Sequence, residues 1–154
     1  MRTAVYPALW GAPQPAILVR MAAILRRGGL VAFPTETVYG LGANALDERA
    51  VSGIFEAKGR PAHNPLIVHV PSIAAAQACA AQWPDHAAML AARFWPGPLT
   101  LVLPKRDVIP SITTAGGTTV ALRIPDHPLA IALLNACETP LAAPARIART
   151  ISRP

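Results

Sequence analysis

Two cations lie close together in a segment that a glycine and a proline keep stiff. Lys58 and Arg60 stand two positions apart, with Gly59 between them and Pro61 after them. Lysine offers a compact charge and arginine a planar fork of donors, so the pair would suit a polyphosphate. It would also suit the solvated end of a helix, where a lysine complements the helix dipole. The spacing alone leaves both interpretations open.

Further polar side chains stand in or beside apolar segments that we predict to be strands. Thr35 is either a turn-forming hydroxyl or a ligand donor, and its neighbour Glu36 is consistent with a plain surface acid. His69 is either a hydrogen-bonded core histidine or a ligand contact, and Arg123 either an ion-pair partner or an anion site. Because ligand sites in α/β sheets lie where loops leave strand ends, these residues are candidates for one site.

The commoner nucleotide-binding and hydrolytic motifs are absent from the sequence. There is no G-x-x-x-x-G-K-[ST] loop. Gly40 and Gly42 open a dinucleotide fingerprint that only Ala45, in its relaxed form, could complete, and no acid follows at the expected distance. No serine lies in a nucleophile elbow, and the histidines do not pair at metal-ligand spacing. The sequence therefore predicts neither a covalent hydrolase nor a zinc site.

The elements that position these residues alternate between helix and strand. Gly28 ends the first apolar helical pattern, and Asp47 and Ser72 are candidate N-caps. We predict strands at 30–33, 66–70, 99–103, 118–123 and from 141, and helices at 17–27, 48–58, after 72, at 85–95 and at 128–137. His69 shares one face of its strand with Ile67. This alternation predicts an α/β domain with a substantial sheet.

The composition indicates one packed domain, since 53% of the 154 residues are apolar and 14% are charged. No apolar run is long enough to span a membrane, and no signal peptide is recognisable. Cys79 and Cys137 are consistent with buried thiols in a reducing cytosol, so we expect a cytoplasmic protein. The net charge of +6 would attract nucleotide or RNA, but three of the arginines lie in the last ten residues. Composition alone therefore does not establish nucleic-acid binding.

Four segments carry a family resemblance. They are Pro34-Thr35-Glu36-Thr37-Val38-Tyr39-Gly40-Leu41-Gly42, Lys58-Gly59-Arg60-Pro61 with Asn64-Pro65-Leu66, Trp95-Pro96-Gly97-Pro98-Leu99-Thr100, and Arg123-Ile124-Pro125. In order and spacing they resemble the successive signature motifs of the YrdC-like family, over roughly residues 19–144. The chain is thereby identified as a member of that family.

The resemblance implies an α/β fold in which a twisted open sheet and its helices surround a basic concave cavity. It implies synthesis of threonylcarbamoyl-AMP from L-threonine, bicarbonate and ATP, with release of pyrophosphate and with Mg²⁺ sharing the charge of the triphosphate. The product would serve threonylcarbamoyladenosine modification of tRNA, with downstream threonylcarbamoyl-transfer proteins as partners. We expect a monomer without a membrane segment.

The resemblance also assigns the site residues by their place in the motifs. The side chains that would contact L-threonine are Thr35, His69 and Arg123, and those that would contact ATP are Lys58, Arg60, Asn64 and Thr119. The carboxylate of threonine would meet Arg123. No residue is expected to act covalently or to bind a metal directly.

The sequence departs from the family after Pro144, where the family continues with Ser-Ala-Asn and further strands. Here a basic tail, residues 145–154, follows instead. One restored nucleotide, under a suitable choice of codons, would convert the start of this tail to Ser-Ala-Asn. We therefore expect a YrdC-like domain at 1–144, a tail that is truncated or frameshifted, missing C-terminal strands and an impaired synthase. The alternatives are an RNA-binding module with a basic concave surface and a non-catalytic remnant.

Overall fold

The computed structural model describes residues 2–6 and 14–144, and the predicted basic tail at 145–154 lies outside these ranges. Its helices are α1 (Pro15–Arg26), α2 (Glu48–Lys58), α3 (Ile73–Cys79), α4 (Asp85–Phe94) and α5 (Pro128–Cys137), with a short 3-10 helix at Ser111–Thr114. Its strands are β1 (Val31–Pro34), β2 (Tyr39–Asn44), β3 (Ile67–His69), β4 (Leu101–Pro104), β5 (Thr119–Arg123) and β6 (Leu141–Ala143). Within the described ranges, no helix combines the length and apolarity needed to span a membrane.

The six strands form one open sheet in the order β1-β2-β6-β3-β5-β4. β3 and β5 run parallel, whereas the other neighbouring strands are antiparallel. β6 lies between β2 and β3, although it follows both in the chain by a long interval. The middle of the sheet is therefore assembled from distant segments, and the predicted α/β architecture is confirmed.

The two faces of the sheet bury different apolar clusters. On one face α2, α3 and α4 cover Val68, Leu122 and Ala142. On the other face α1 and α5 cover Phe33 and Leu141. This second face is left open over β5, where Thr119 is exposed and Ala121 is half-buried. A polar site can form there because water and ligands reach the sheet directly.

Local sequence signals set several helix boundaries. The carboxylate of Asp47 accepts hydrogen bonds from the backbone N–H of Arg49 at 3.0 Å and of Ala50 at 3.3 Å. Gly59 caps the C-terminus of α2, and its φ of 56° lies in the left-handed region that favours glycine. The hydroxyl of Ser72 caps α3 in the way that Asp47 caps α2. The predicted N-caps are thus confirmed.

The first motif combines a turn with part of a strand. Only residues 35–38 form a turn, and Tyr39–Asn44 is strand β2, paired with β1 in a hairpin. A Cβ atom on Gly42 would come within 2.6 Å of Cε1 of Phe33. Glycine at this position therefore allows the buried ring of Phe33 to lie close to the strand.

Candidate functional site

The carboxyl ends of the two parallel strands bring two buried polar side chains together. His69 ends β3, Arg123 ends β5, and the two are register partners. Because side chains alternate along a strand, both lie on the face that α1 and α5 cover only in part. Their exposed fractions are 4% and 7%. Polar groups are rarely buried to this extent unless partners or a ligand compensate them.

A pocket opens beside this pair. It holds about 260 Å³ of space when its open mouth is included. It is lined by Thr35, Thr37, Val38, Gly40, Ile67, His69, Arg123, Ala143 and Pro144. The lining brings the turn between β1 and β2 together with the carboxyl ends of β3 and β5.

The guanidinium of Arg123 is held from two sides. Its Nε donates to the carbonyl oxygen of Gly97 at 3.1 Å. Its Nη2 donates to Oε1 of Glu36 and, at 3.3 Å, to Oγ1 of Thr37. The first partner belongs to the Trp95–Thr100 motif and the other two to the β1–β2 turn. Arg123 is therefore both an ion-pair partner and a pocket-lining cation.

Glu36 is the site residue that the sequence did not reveal. Besides its ion pair with Arg123, its Oε2 accepts a hydrogen bond from the backbone N–H of Asp126 at 2.9 Å. Partial burial raises the pKa of the Glu36 carboxyl, but the hydrogen bond and charge of Arg123, with backbone N–H groups, outweigh burial and leave the pKa below its usual value. Glu36 is exposed as a residue, and its carboxyl is also an ion-pair partner, so it is more than a plain surface acid. Its place between two motif threonines was the available sequence signal.

His69 is buried without a full set of hydrogen bonds. Its Nδ1 has no hydrogen-bond partner among the described residues, and its ring meets Phe33 edge-on, with the ring centroids 6.0 Å apart. Burial, reinforced by the charge of Arg123, lowers the pKa of His69 to about 4. The imidazole is therefore neutral at pH 7. Since Nδ1 lacks a partner, the interpretation as a fully hydrogen-bonded core histidine does not fit the described residues.

Thr35 forms the turn between β1 and β2. Its hydroxyl donates to the carbonyl oxygen of Val38 at 2.6 Å and accepts from the backbone N–H of Thr37 at 3.3 Å and of Val38 at 3.2 Å. The turn-forming interpretation is confirmed. Thr35 also lines the pocket, so the turn that it stabilises is one wall of the candidate site.

The structure keeps the four predicted ATP contacts away from the pocket lining. Lys58 ends α2, Arg60 and Asn64 follow it before β3, and Thr119 begins β5. Thr119 lies four residues before Arg123 on the same strand face, which corresponds to about 13 Å. Partial burial, followed by the charge of Arg60, lowers the pKa of Lys58. The two sets of residues thus occupy opposite ends of the parallel strands β3 and β5.

The described residues hold no cluster of three or more metal-binding side chains. Among them, no three histidine, cysteine, aspartate or glutamate side chains are grouped so that they could hold a metal ion. Mg²⁺ commonly reaches such reactions on the phosphates of its nucleotide, with few protein ligands.

Comparisons with known proteins agree with this architecture. The family model named Sua5_yciO_yrdC, with the description "Telomere recombination", matches residues 23–149. The threonylcarbamoyl-AMP synthase of Pyrococcus abyssi is 61% identical over 127 residues, which is 82% of this chain and 37% of that protein. The threonylcarbamoyl-AMP synthase of Bacillus subtilis is 54% identical over 128 residues, again 82% of this chain and 37% of the relative. The chain thus spans little more than a third of these curated relatives.

Solved structures extend the similarity to three dimensions. The crystal structure of P. abyssi Sua5 complexed with L-threonine superposes with a TM-score of 0.86 and 55% identity, over 88% of this chain and 40% of that one. Escherichia coli YciO, at 24% identity, matches with a TM-score of 0.77 over 86% of this chain and 64% of that one, and so supports the fold alone. With a family model over most of its length and close relatives in sequence and structure, this chain belongs to the Sua5/YciO/YrdC family.

Proposed function

We propose that the chain serves the synthesis of threonylcarbamoyl-AMP from L-threonine, bicarbonate and ATP, with release of pyrophosphate. The observation that carries this proposal is the pocket lined by a buried arginine and by a buried histidine whose Nδ1 has no hydrogen-bond partner among the described residues. The names of the P. abyssi and B. subtilis relatives support it. The product would serve threonylcarbamoyladenosine modification of tRNA in the cytoplasm, and transfer proteins downstream would receive it.

The pocket end of the site is proposed to bind L-threonine. The carboxylate of the amino acid would pair with Arg123, and His69 would offer Nδ1 to a polar group of the ligand. A neutral imidazole suits this role because a second positive charge beside Arg123 would be costly in a buried place. Thr35 would shape the wall of the pocket through its turn. P. abyssi Sua5, at 55% identity, forms a complex with L-threonine.

The opposite end is proposed to bind ATP. Lys58 would contribute a compact charge and Arg60 a planar fork to the triphosphate, while Asn64 and Thr119 would donate or accept hydrogen bonds. Because Thr119 and Arg123 share one strand face, an intermediate that joins threonine to a nucleotide can lie along that face. The resemblance to the family implies Mg²⁺ on the phosphates.

The proposed reaction needs positioning more than it needs a nucleophile in the protein. The amine of threonine forms a bond to the carbon of bicarbonate, a C–O bond of bicarbonate breaks, and water leaves, which gives a carbamate. An oxygen of this carbamate attacks the α-phosphorus of ATP. The bond between that phosphorus and the bridging oxygen breaks, and the electron pair leaves with pyrophosphate. Holding the carbamate and the phosphate in line, and neutralising the charge that develops, would supply most of the acceleration.

The test of the proposal is pyrophosphate release from ATP with and without L-threonine and bicarbonate. The unmodified 154-residue chain should be compared with a variant that carries Ala145→Ser, Arg146→Ala and Ile147→Asn, the residues that the family has there. We expect release that depends on both co-substrates, and faster release in the variant. ATP binding by both proteins without any such dependence would contradict the proposal.

A further inference from the structure

The Trp95–Thr100 motif has no role in the proposed chemistry, yet its turn contacts Arg123. The carbonyl oxygen of Gly97 accepts the Nε hydrogen bond at 3.1 Å, and its backbone N–H donates to the carbonyl oxygen of Ile124 at 2.8 Å. A Cβ atom on Gly97 would lie 2.6 Å from the carbonyl oxygen of Phe94, so the turn is too tight for a side chain. The motif is thus a fixed acceptor for one edge of the guanidinium.

Glu36 holds another edge of the same group. Its Oε1 pairs with Nη2 of Arg123, and its Oε2 is tied at 2.9 Å to the backbone N–H of Asp126. The side chains of Arg123 and Glu36 are only 9% and 21% exposed, so water screens the pair weakly. Glu36 therefore connects the β1–β2 turn to the segment that follows β5.

Two hydrogen-bonded nitrogens fix the plane of the Arg123 guanidinium. Nε and Nη2 of Arg123 are taken by protein acceptors, and Nη1 is the remaining nitrogen. Because the guanidinium is planar and rigid, fixing two of its nitrogens also fixes the direction of the third. A donor that is oriented before the ligand arrives loses less conformational entropy on binding.

We propose that Glu36 is a positioning residue, which orients Arg123 so that Nη1 receives the carboxylate of the substrate amino acid. This inference rests on the proposed function and adds to it a residue that touches the substrate only through another side chain. It also gives the Trp95–Thr100 motif a part in the site, as the acceptor for Nε of Arg123. A competing role, in which Glu36 occupies Arg123 until the substrate displaces it, predicts the opposite effect on affinity.

The experiment is calorimetric titration of the unmodified chain and its variants with L-threonine and, separately, with ATP. Glu36→Gln removes the charge and keeps the size of the side chain. We expect it to weaken L-threonine binding about tenfold, the loss of one charge-assisted hydrogen bond, and to change ATP binding less than about twofold. Glu36→Asp keeps the charge but is one methylene shorter. Its affinity for L-threonine should therefore be intermediate between the affinities of the unmodified chain and of Glu36→Gln.

Glu138→Gln is the matched control, because Glu138 is exposed and lies after α5, outside the pocket lining. It should change neither affinity. Unchanged or tighter L-threonine binding in Glu36→Gln overturns the inference. An equal loss of affinity for L-threonine and ATP, together with a lower melting temperature, also overturns it, because that result indicates a merely structural role. If Glu36→Gln does not fold, unchanged L-threonine affinity in Glu36→Asp overturns it. Failure of the unmodified chain to bind L-threonine overturns the proposed function itself, and the inference with it.

Discussion

The two ends of the candidate site are built differently. At the carboxyl end of β5, Arg123 is 7% exposed and donates to three protein acceptors. At the amino end of the same strand Thr119 is exposed, and Lys58 and Arg60 are half-buried in the segment that leaves α2. Buried groups that hold each other leave few arrangements open, whereas an exposed hydroxyl such as that of Thr119 keeps more of its rotational freedom. The pocket end is therefore set before a ligand binds, more so than the end of the strand at Thr119.

The largest effect is expected at the pocket end, from Arg123→Ala. The change removes the proposed hydrogen-bond donor to the substrate carboxylate. It also leaves the partly buried Glu36 carboxylate without its cation. We expect L-threonine affinity to fall by at least about a hundredfold and stability to fall by about 3 kcal/mol, with ATP affinity nearly unchanged. Calorimetry and urea unfolding measure the two effects. Arg93 is an exposed arginine on α4, and Arg93→Ala should change neither L-threonine affinity nor stability. If Arg123→Ala weakened the binding of L-threonine and of ATP equally, the two ends of the site would not be separate.

The pocket end should also make stability depend on pH through His69. In the unfolded chain this imidazole takes up a proton as the pH falls through about 6.5, whereas in the folded chain its pKa is about 4. Between these values the unfolded state binds more protons, so stability is full above the window and is lost as the pH falls. We expect a loss of about 2 kcal/mol between pH 7 and pH 5.

Urea unfolding at the two pH values measures this dependence. His69→Gln should remove most of it, because glutamine does not titrate. His86→Gln, at an exposed position on α4, should leave it unchanged. The same pH dependence in His69→Gln as in the unmodified chain would show that the burial of His69 is not its origin.

A smaller effect is expected at the opposite end, which is proposed to bind ATP, when Lys58 and Arg60 are exchanged. Lys58→Arg combined with Arg60→Lys keeps the charge and changes the geometry. We expect ATP affinity to fall about tenfold, the value of one well-placed charged hydrogen bond, with L-threonine affinity unchanged. An RNA-binding module that uses only charge would tolerate the exchange and would bind tRNA with a steep dependence on salt. Fluorescence titration with a labelled ATP analogue and with tRNA at two salt concentrations separates the two functions.

The smallest effect is expected from Thr119→Ala. Thr119 is exposed, so the loss of its hydroxyl costs only one neutral hydrogen bond to the nucleotide, and ATP affinity should fall about threefold. Thr118→Ala is the control, because the preceding residue points to the opposite side of the chain. Equal effects in the two variants, measured by the same titration, would exclude a specific contact at Thr119.

The sequence predicted elements better than it predicted their limits. The helix starts at Asp47 and Ser72 were correct because a cap is a contact between residues two or three positions apart. The predicted strands at 66–70 and 99–103 became Ile67–His69 and Leu101–Pro104, since strand length depends on the neighbour that supplies hydrogen bonds. β2 was missed entirely, because its glycines make sense only once the ring of Phe33 lies against them.

By itself the sequence determined the helix caps, the apolar faces and the residue types of the four motifs, all of which depend on spacings of a few residues. The tertiary structure decided which of these residues meet. Glu36 reaches Arg123 across 87 positions, and Gly97 reaches it across 26. The first contact depends on β6 entering between β2 and β3, and the second on the pairing of β4 with β5. Local periodicity carries no information about strand order, because order follows from how distant apolar faces pack together, and so the ion pair that organises the pocket could be recognised only in the folded chain.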